Sequence, residues 1–353
     1  MPGAFSVRGG AYMSMQEKME QLGRKVLGGE VISRSEVELL CRVESEWLDD
    51  LFYWSNRIRQ QYCGKKISFC SILSGKLGGC SEDCAFCSQS RYFKTHVNPL
   101  RRSIDEMSIA VDEAVSNGAV RIGIVNSGRC PSDVDLDQIE PLVRRVSSEG
   151  RIGMCVSLGE LTDTQVTRLK SMGVTRVNHN LETSRGHFSN IISTHGYDDR
   201  IRTIQVLKQA GMSICCGGIF GIGESWQDRL DMAFELKALD VDVVPLNFLH
   251  GVEGTPVYGR CKPLQPLEAL QIIAVFRFVL PGKTLKVAGG REKVLRDMQS
   301  WMFYAGANSF LIGNYLTTLG RTPEDDVQML ADLGLDYDSY AEMDQSVSVC
   351  AAK

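Results

Sequence analysis

A (β/α)8 TIM-type barrel with an N-terminal helical extension is the fold this sequence predicts, and three observations predict it. From about residue 66 onward, short β-branched runs alternate with amphipathic helical stretches. Eight such runs fall within roughly 250 residues, the number and span that a closed eight-stranded barrel with an outer ring of helices requires. Several helical stretches end in glycine (Gly118, Gly150, Gly173 and Gly211), as helix C-termini do, so each stops before the next strand begins. An open doubly wound sheet produces the same alternation, and spacing alone leaves it as the competing arrangement.

Taken in order, residues 1–62 form an arm and a helical cap. MPGAFSVRGGAYMSM lacks the positive n-region and apolar h-region of a secretory signal and reads as a disordered arm, with Met13 and Met15 as alternative starts. MQEKMEQLGRKVLGG and SRSEVELLCRVESEWLDDLFYWSNRIRQQY then read as helices packed on the barrel. Residues 63–320 hold the barrel. Its expected strands are KISFCSIL (66–73), AVRIGIVNS (119–127), IGMCVSLG (152–159), TRVNHNL (175–181), SICCGGIFG (213–221), VDVVPLNFL (241–249), TLKVAGG (284–290) and ANSFLIG (307–313). The stretches between them, such as IDEMSIAVDEAVSNG and SWQDRLDMAFELKALD, carry helical periodicity. Residues 321–353 are a C-terminal extension, and no low-complexity linker divides the chain.

Composition narrows the function classes. With 43% hydrophobic and 23% charged residues, the chain is an ordinary globular one. A formal net charge of −4 offers no electrostatic footprint for nucleic acid or anionic lipid. No apolar run is long enough for a transmembrane helix. Twelve cysteines without a secretory signal point to a reducing, cytoplasmic setting and to metal binding or catalysis rather than disulfides.

Three of those cysteines, Cys80, Cys84 and Cys87, stand in CSEDCAFCSQS, just after the first expected strand. Chemistry in a barrel gathers at such strand ends. The spacing is too short for a disulfide framework and lacks the paired C-x-x-C halves of a structural zinc site. Three thiolates on a short loop can hold a 4Fe–4S cluster and leave its fourth iron open, since such clusters ordinarily take four protein ligands. A zinc site completed by a distant residue, or three ordinary thiols, are the competing readings.

C-x-x-x-C-x-x-C after a first barrel strand resembles the radical S-adenosylmethionine superfamily. Within it the chain most resembles the biotin synthase family, through GGCSEDCAFCSQS and five further blocks in the same order: VNHNLETS (177–184), CCGGIFGIGES (215–225), VPLNFLHGVEGTP (244–256), VAGGRE (287–292) and AGANSFLIGNYLTT (305–318). The resemblance implies that the open iron binds S-adenosylmethionine and that its reduction yields 5′-deoxyadenosyl radicals. It further implies that these abstract hydrogen from dethiobiotin, into which sulfur is inserted to give biotin. It implies an electron-donating flavodoxin or ferredoxin, a homodimer, and neither nucleic acid nor membrane as partner.

In that family the sulfur comes from a second cluster, usually 2Fe–2S, held by three cysteines and an arginine. By resemblance Cys155, Cys215 and Arg291 match three of these ligands, while Gly123 stands where the remaining cysteine belongs. Cys130, in the following loop, is one substitute. Three protein ligands plus an exogenous thiol are another, and loss or alteration of the cluster a third; Cys216 is turned away from Cys215 by strand alternation. Gly217, Gly218, Gly221 and Glu224 resemble the segment that backs S-adenosylmethionine. Asn178, Asn180 and Glu182 alternate, so they share one face of the fourth strand, where the family contacts cofactor ribose and substrate. The family commonly has Asp at position 182. Asn247 resembles a further substrate contact, and Arg121 shares the inward face of Gly123. His179 points outward to pack. Cys41, Cys63, Cys70, Cys261 and Cys350 read as incidental thiols. Gly123 leaves a related radical enzyme as the alternative, either a lipoyl synthase-like sulfur inserter or one that abstracts hydrogen alone. A non-catalytic iron–sulfur or zinc protein on a barrel scaffold is the reading from outside enzymology.

Overall fold

The computed structural model describes residues 13–340; the N-terminal arm expected over the first fifteen residues lies mostly outside them, as does Cys350. Ten strands form one sheet: β1 (Ser68–Leu77), β2 (Leu100–Arg101), β3 (Arg121–Asn126), β4 (Gly153–Ser157), β5 (Arg176–Asn178), β6 (Ser213–Cys215), β7 (Gly218–Phe220), β8 (Val243–Phe248), β9 (Thr284–Val287) and β10 (Ser309–Leu311). Every expected strand is present. The fifth is interrupted at Cys216–Gly217 into β6 and β7, which both pair with β8. All pairs are parallel except the short β1–β2 ribbon. β10 returns to β1 through Ser68↔Ser309, Phe69↔Phe310 and Cys70↔Leu311. That pairing closes the barrel and rules out the open sheet.

Local chemistry explains the alternation. Ser103, Ser132, Thr162 and Ser225 each cap a helix with a side-chain oxygen on the N3 amide, and each N3 side chain reaches back in a capping box. Gly150 and Gly173 end their helices in the left-handed region that a side chain resists. Helix Pro266–Val279 breaks the amphipathic pattern, with twelve of its fourteen residues buried. The reason is a second layer. Helices Arg34–Leu40 and Leu48–Cys63 cover its outer side, and Gln271 donates to the carbonyls of Leu40 at 2.9 Å and Val43 at 3.3 Å. Arg277 is buried there, spending its guanidinium on the carbonyls of Gly306, Leu280, Pro281 and Lys283 and on Asn308 Oδ1.

The main apolar core lies between sheet and helices. Inside the barrel the apolar filling is slight: Cys70, Ala288 and Leu311, with Ile72 and Tyr315 against them. Barrel interiors are ordinarily packed solid with branched side chains. Here inward positions carry Gly123, Cys155, Cys215 and Lys286 instead, and a cavity remains.

Candidate active site

The cysteine loop folds back on itself after β1. The Cys80 amide donates to Gln89 O at 2.9 Å, the Arg91 amide to Cys80 O at 2.9 Å, and the Cys87 amide to Cys84 O at 2.9 Å. The acidic pair between Cys80 and Cys84 fastens this loop to residues 191–195. Glu82 accepts from Thr194 Oγ1 at 2.7 Å and pairs with His195 Nδ1 at 2.6 Å. Asp83 accepts from the Ser193 and Thr194 amides and from the Ser193 hydroxyl, and the Ala85 amide donates to Ile191 O. All three sulfurs are half-buried. Burial pushes the free thiols of Cys84 and Cys87 up, Cys87 to about 11, so they would become thiolates only with a metal in place of the proton. Among the described residues no three His, Cys, Asp or Glu side chains converge closely enough for a single metal ion. A cluster suits this set better, since each thiolate binds a different iron and the sulfurs stand apart.

Beside the loop lies a solvent-open pocket of about 1100 Å³ at the mouth of the barrel, lined among others by Cys87, Gln89, Asn180, Glu182, Asn247 and Tyr315. Glu182 adopts φ +69, unusual for a residue with a side chain, and is held there by the strand beside it: the Ile219 amide donates to Glu182 O at 2.8 Å. Burial raises its carboxyl, against Arg200 at 3.7 Å and Asn180 Nδ2 at 3.4 Å, which favour the carboxylate. Asn180 also accepts from the Gly217 amide at 3.2 Å. Asn247 bridges two strands, donating to Gly218 O at 3.1 Å and accepting from the Gly289 amide at 3.0 Å. Each carboxamide keeps a second N–H and a second lone pair for a ligand.

The glycines of GGIFGIGES serve packing. A Cβ on Gly217 would stand 2.0 Å from Pro245 O, and one on Gly218 2.5 Å from Glu182 O; Gly221 has φ +89. None of the three lines the pocket, whereas Ile219 does. Glu224 is likewise turned away from it, accepting from the Gly221 and Ile222 amides and pairing with buried Arg229 at 2.9 Å. These four residues shape the wall and do not touch the space.

A second cavity lies deeper in the barrel. It brings together Cys155, Cys215, Asn178 and Arg121, and Gly123 opens onto it. Ile72 lines both cavities and so forms their common wall. Asn178 therefore shares the inward face with Asn180 and Glu182 but belongs to the deeper space, donating towards Cys215 Sγ at 3.7 Å. Arg121 is deep as well, donating to Thr175 Oγ1 at 2.8 Å and remote from the mouth residues. Cys216 is buried in the outer core and His179 packs outward, its imidazole pushed down to about 3 by burial. Cys130 is exposed in its loop and does not reach the cavity.

Arg291 is not a lining residue of either cavity. It begins the helix Arg291–Leu295, beyond the end of β9, where strand alternation no longer directs side chains inward. Its guanidinium is fully buried against Asp326 at 2.5 Å and Glu292 at 3.2 Å, over the Phe310 ring. The cation that does face the cysteines is Lys286 of β9, whose Nζ is 3.4 Å from Cys215 Sγ. A lysine inside the apolar run TLKVAGG was the sequence signal for it. Cys70, at the inward parity of β1, also lines the deep cavity and escaped the sequence reading.

Residues 76–236 match the radical SAM superfamily, and residues 245–336 match the Biotin and Thiamin Synthesis associated domain. The biotin synthase of Carboxydothermus hydrogenoformans is 44% identical over 324 residues, covering 91% of this chain and 99% of its own. That of Pelobacter propionicus is 47% identical over 316 residues, covering 88% and 95%. Among solved structures, methylornithine synthase superposes with a TM-score of 0.80 at 20% identity, over 92% of this chain and 99% of that one. The FeFe-hydrogenase maturase of C. hydrogenoformans gives 0.77 at 21% identity, over 91% and 79%. These structures share the fold.

Proposed function

This chain belongs to the biotin synthase family of radical S-adenosylmethionine enzymes, and from that premise we propose how its two cavities divide the conversion of dethiobiotin to biotin. When bound, the 4Fe–4S cluster and S-adenosylmethionine supply hydrogen-abstracting radicals, and the second cluster, usually 2Fe–2S, supplies the sulfur. Cys80, Cys84 and Cys87 hold the first cluster at the rim. Glu182, oriented by Arg200 and Asn180, takes the polar groups of the cofactor. The spare donor and acceptor of Asn180 and of Asn247 suit the ureido ring of dethiobiotin, which offers both. Cys155 and Cys215 serve the second cluster from below, so substrate at the mouth stands between the two.

The observation that carries this division is the stacking of two thiol-lined spaces along one barrel, with Ile72 as their shared wall. The family resemblance further supports a flavodoxin or ferredoxin as electron donor, a homodimer and a cytoplasmic setting. Among the described residues no helix is long and apolar enough to cross a membrane.

Anaerobically reconstituted protein, given S-adenosylmethionine, a low-potential reductant and dethiobiotin, is expected to form 5′-deoxyadenosine and biotin in a single-turnover assay. Formation of 5′-deoxyadenosine with no biotin, in the presence of sulfide and iron, would sink the assignment.

A further inference from the structure

The deep cavity has a charge problem and a ligand problem, and one residue answers both. Its lining includes three cations, Arg121, Arg176 and Lys286, and not one carboxylate. Arg121 donates to Thr175 and Arg176 to Ser213, both neutral, and Nε of Arg121 is buried without a partner. Lys286 is buried with Arg121 and Arg176 half-buried beside it, and cations so placed favour an anion between them. Cys155 and Cys215 provide two thiolates, and the position expected to provide a third is Gly123.

Gly123 does point into this space: a Cβ there would lie 3.9 Å from Cys155 Cβ and 3.5 Å from Ile72 Cγ2. The neighbouring strand fills what it lacks. β1 pairs with β3 through Ile72↔Gly123 and Cys70↔Arg121, so Cys70 stands one inward position below the partner of Gly123. Strand alternation gives Cys70 and Ile72 the same face, and both line the cavity. Cys70 packs with the inner-barrel group rather than the outer core, where Cys216 is found. Among the described residues no cysteine besides Cys70, Cys155 and Cys215 lines this cavity.

We propose that Cys70 is the third thiolate ligand of the second iron–sulfur cluster, standing in for the cysteine absent at position 123, with Lys286 as the cation beside it. The inference rests on the reading of the deep cavity as the second-cluster site. Three thiolates on a 2Fe–2S core leave the cluster net anionic, which suits its cationic lining. Each β strand that faces the cavity with a thiol (β1, β4 and β6) contributes one.

The test isolates the deep site. In a Cys80→Ala/Cys84→Ala/Cys87→Ala background, anaerobic reconstitution is followed by iron and sulfide analysis and visible absorption. That background should retain iron, and adding Cys70→Ala should lower it about tenfold, as adding Cys155→Ala does, while adding Cys130→Ala should leave it unchanged. Retention after Cys70→Ala with loss after Cys155→Ala overturns the ligand assignment and leaves the deep site standing. Absence of iron from the triple variant removes the deep site and the proposal together. Cys70→Ser in the otherwise native chain guards against misfolding. It should keep the far-UV circular dichroism and about four irons of the first cluster, while losing the remaining iron. Native-like total iron in that variant would equally overturn the assignment.

Discussion

Arg291 and Lys286 sit five residues apart in KVAGGRE, and their surroundings assign them opposite roles. Arg291 is locked to Asp326 with neither side chain exposed, so removing it leaves the buried carboxylate only Arg321, at 3.9 Å. Arg291→Ala should therefore cost about 3–5 kcal/mol of stability, while the protein that remains folded keeps its full iron content. Chemical denaturation paired with iron analysis distinguishes this from ligation, which would lose iron at little cost in stability. Lys286→Met should do the reverse, lowering iron retention at the deep site about tenfold, with Lys286→Arg largely restoring it. Gly123 gives a third residue-scale expectation. It lies in a strand with an ordinary φ and room for a Cβ, so Gly123→Ala should stabilise by up to about 1 kcal/mol. A lower melting temperature for that variant would mean the cavity wall cannot take a side chain.

Whole strands and helices are legible in this sequence because periodicity and caps are local properties. The β1 run reads as a strand from its own composition, and its parity places Phe69 outward and Cys70 inward. Which inward residues share a cavity depends on register between strands, which no single strand encodes. Cys155 and Cys215 were traceable because the resemblance supplied that register. Cys70 and Lys286 were not, since the resemblance placed a cysteine at 123 and an arginine at 291. The cysteine loop follows the same logic, because its anchor lies some 110 residues away in sequence. Glu82 and Asp83 are positioning residues, tying the loop to residues 193–195. Thr194→Val removes a donor to both carboxylates. It should speed the loss of first-cluster iron to a chelator severalfold, with deep-site iron unaffected. Equal rates in variant and parent would show that the loop holds its shape without that contact.

At the scale of the molecule, the barrel closes through β10 and β1 and is wrapped by helices, so its framework does not depend on metal. The two sites should nevertheless weigh differently on stability. By our reading the first cluster sits on the rim loop, held by cysteines that are only half-buried. At the deep site we place an anionic cluster beside buried Lys286, and losing it would leave that cation in a space without a carboxylate. Breaking such a pairing costs about 3–5 kcal/mol, or about 4–7 °C in melting temperature for a chain of this size. Chelated protein should therefore keep its far-UV circular dichroism and a cooperative transition, yet melt well below the loaded form. The triple alanine variant of the rim cysteines should melt close to it. Lys286→Met gives the decisive arm. In loaded protein it should lower the melting temperature by weakening the cluster, and in chelated protein it should raise it by deleting a stranded charge. A loss of stability in both forms would mean that Lys286 is held by contacts other than the anion its cavity awaits.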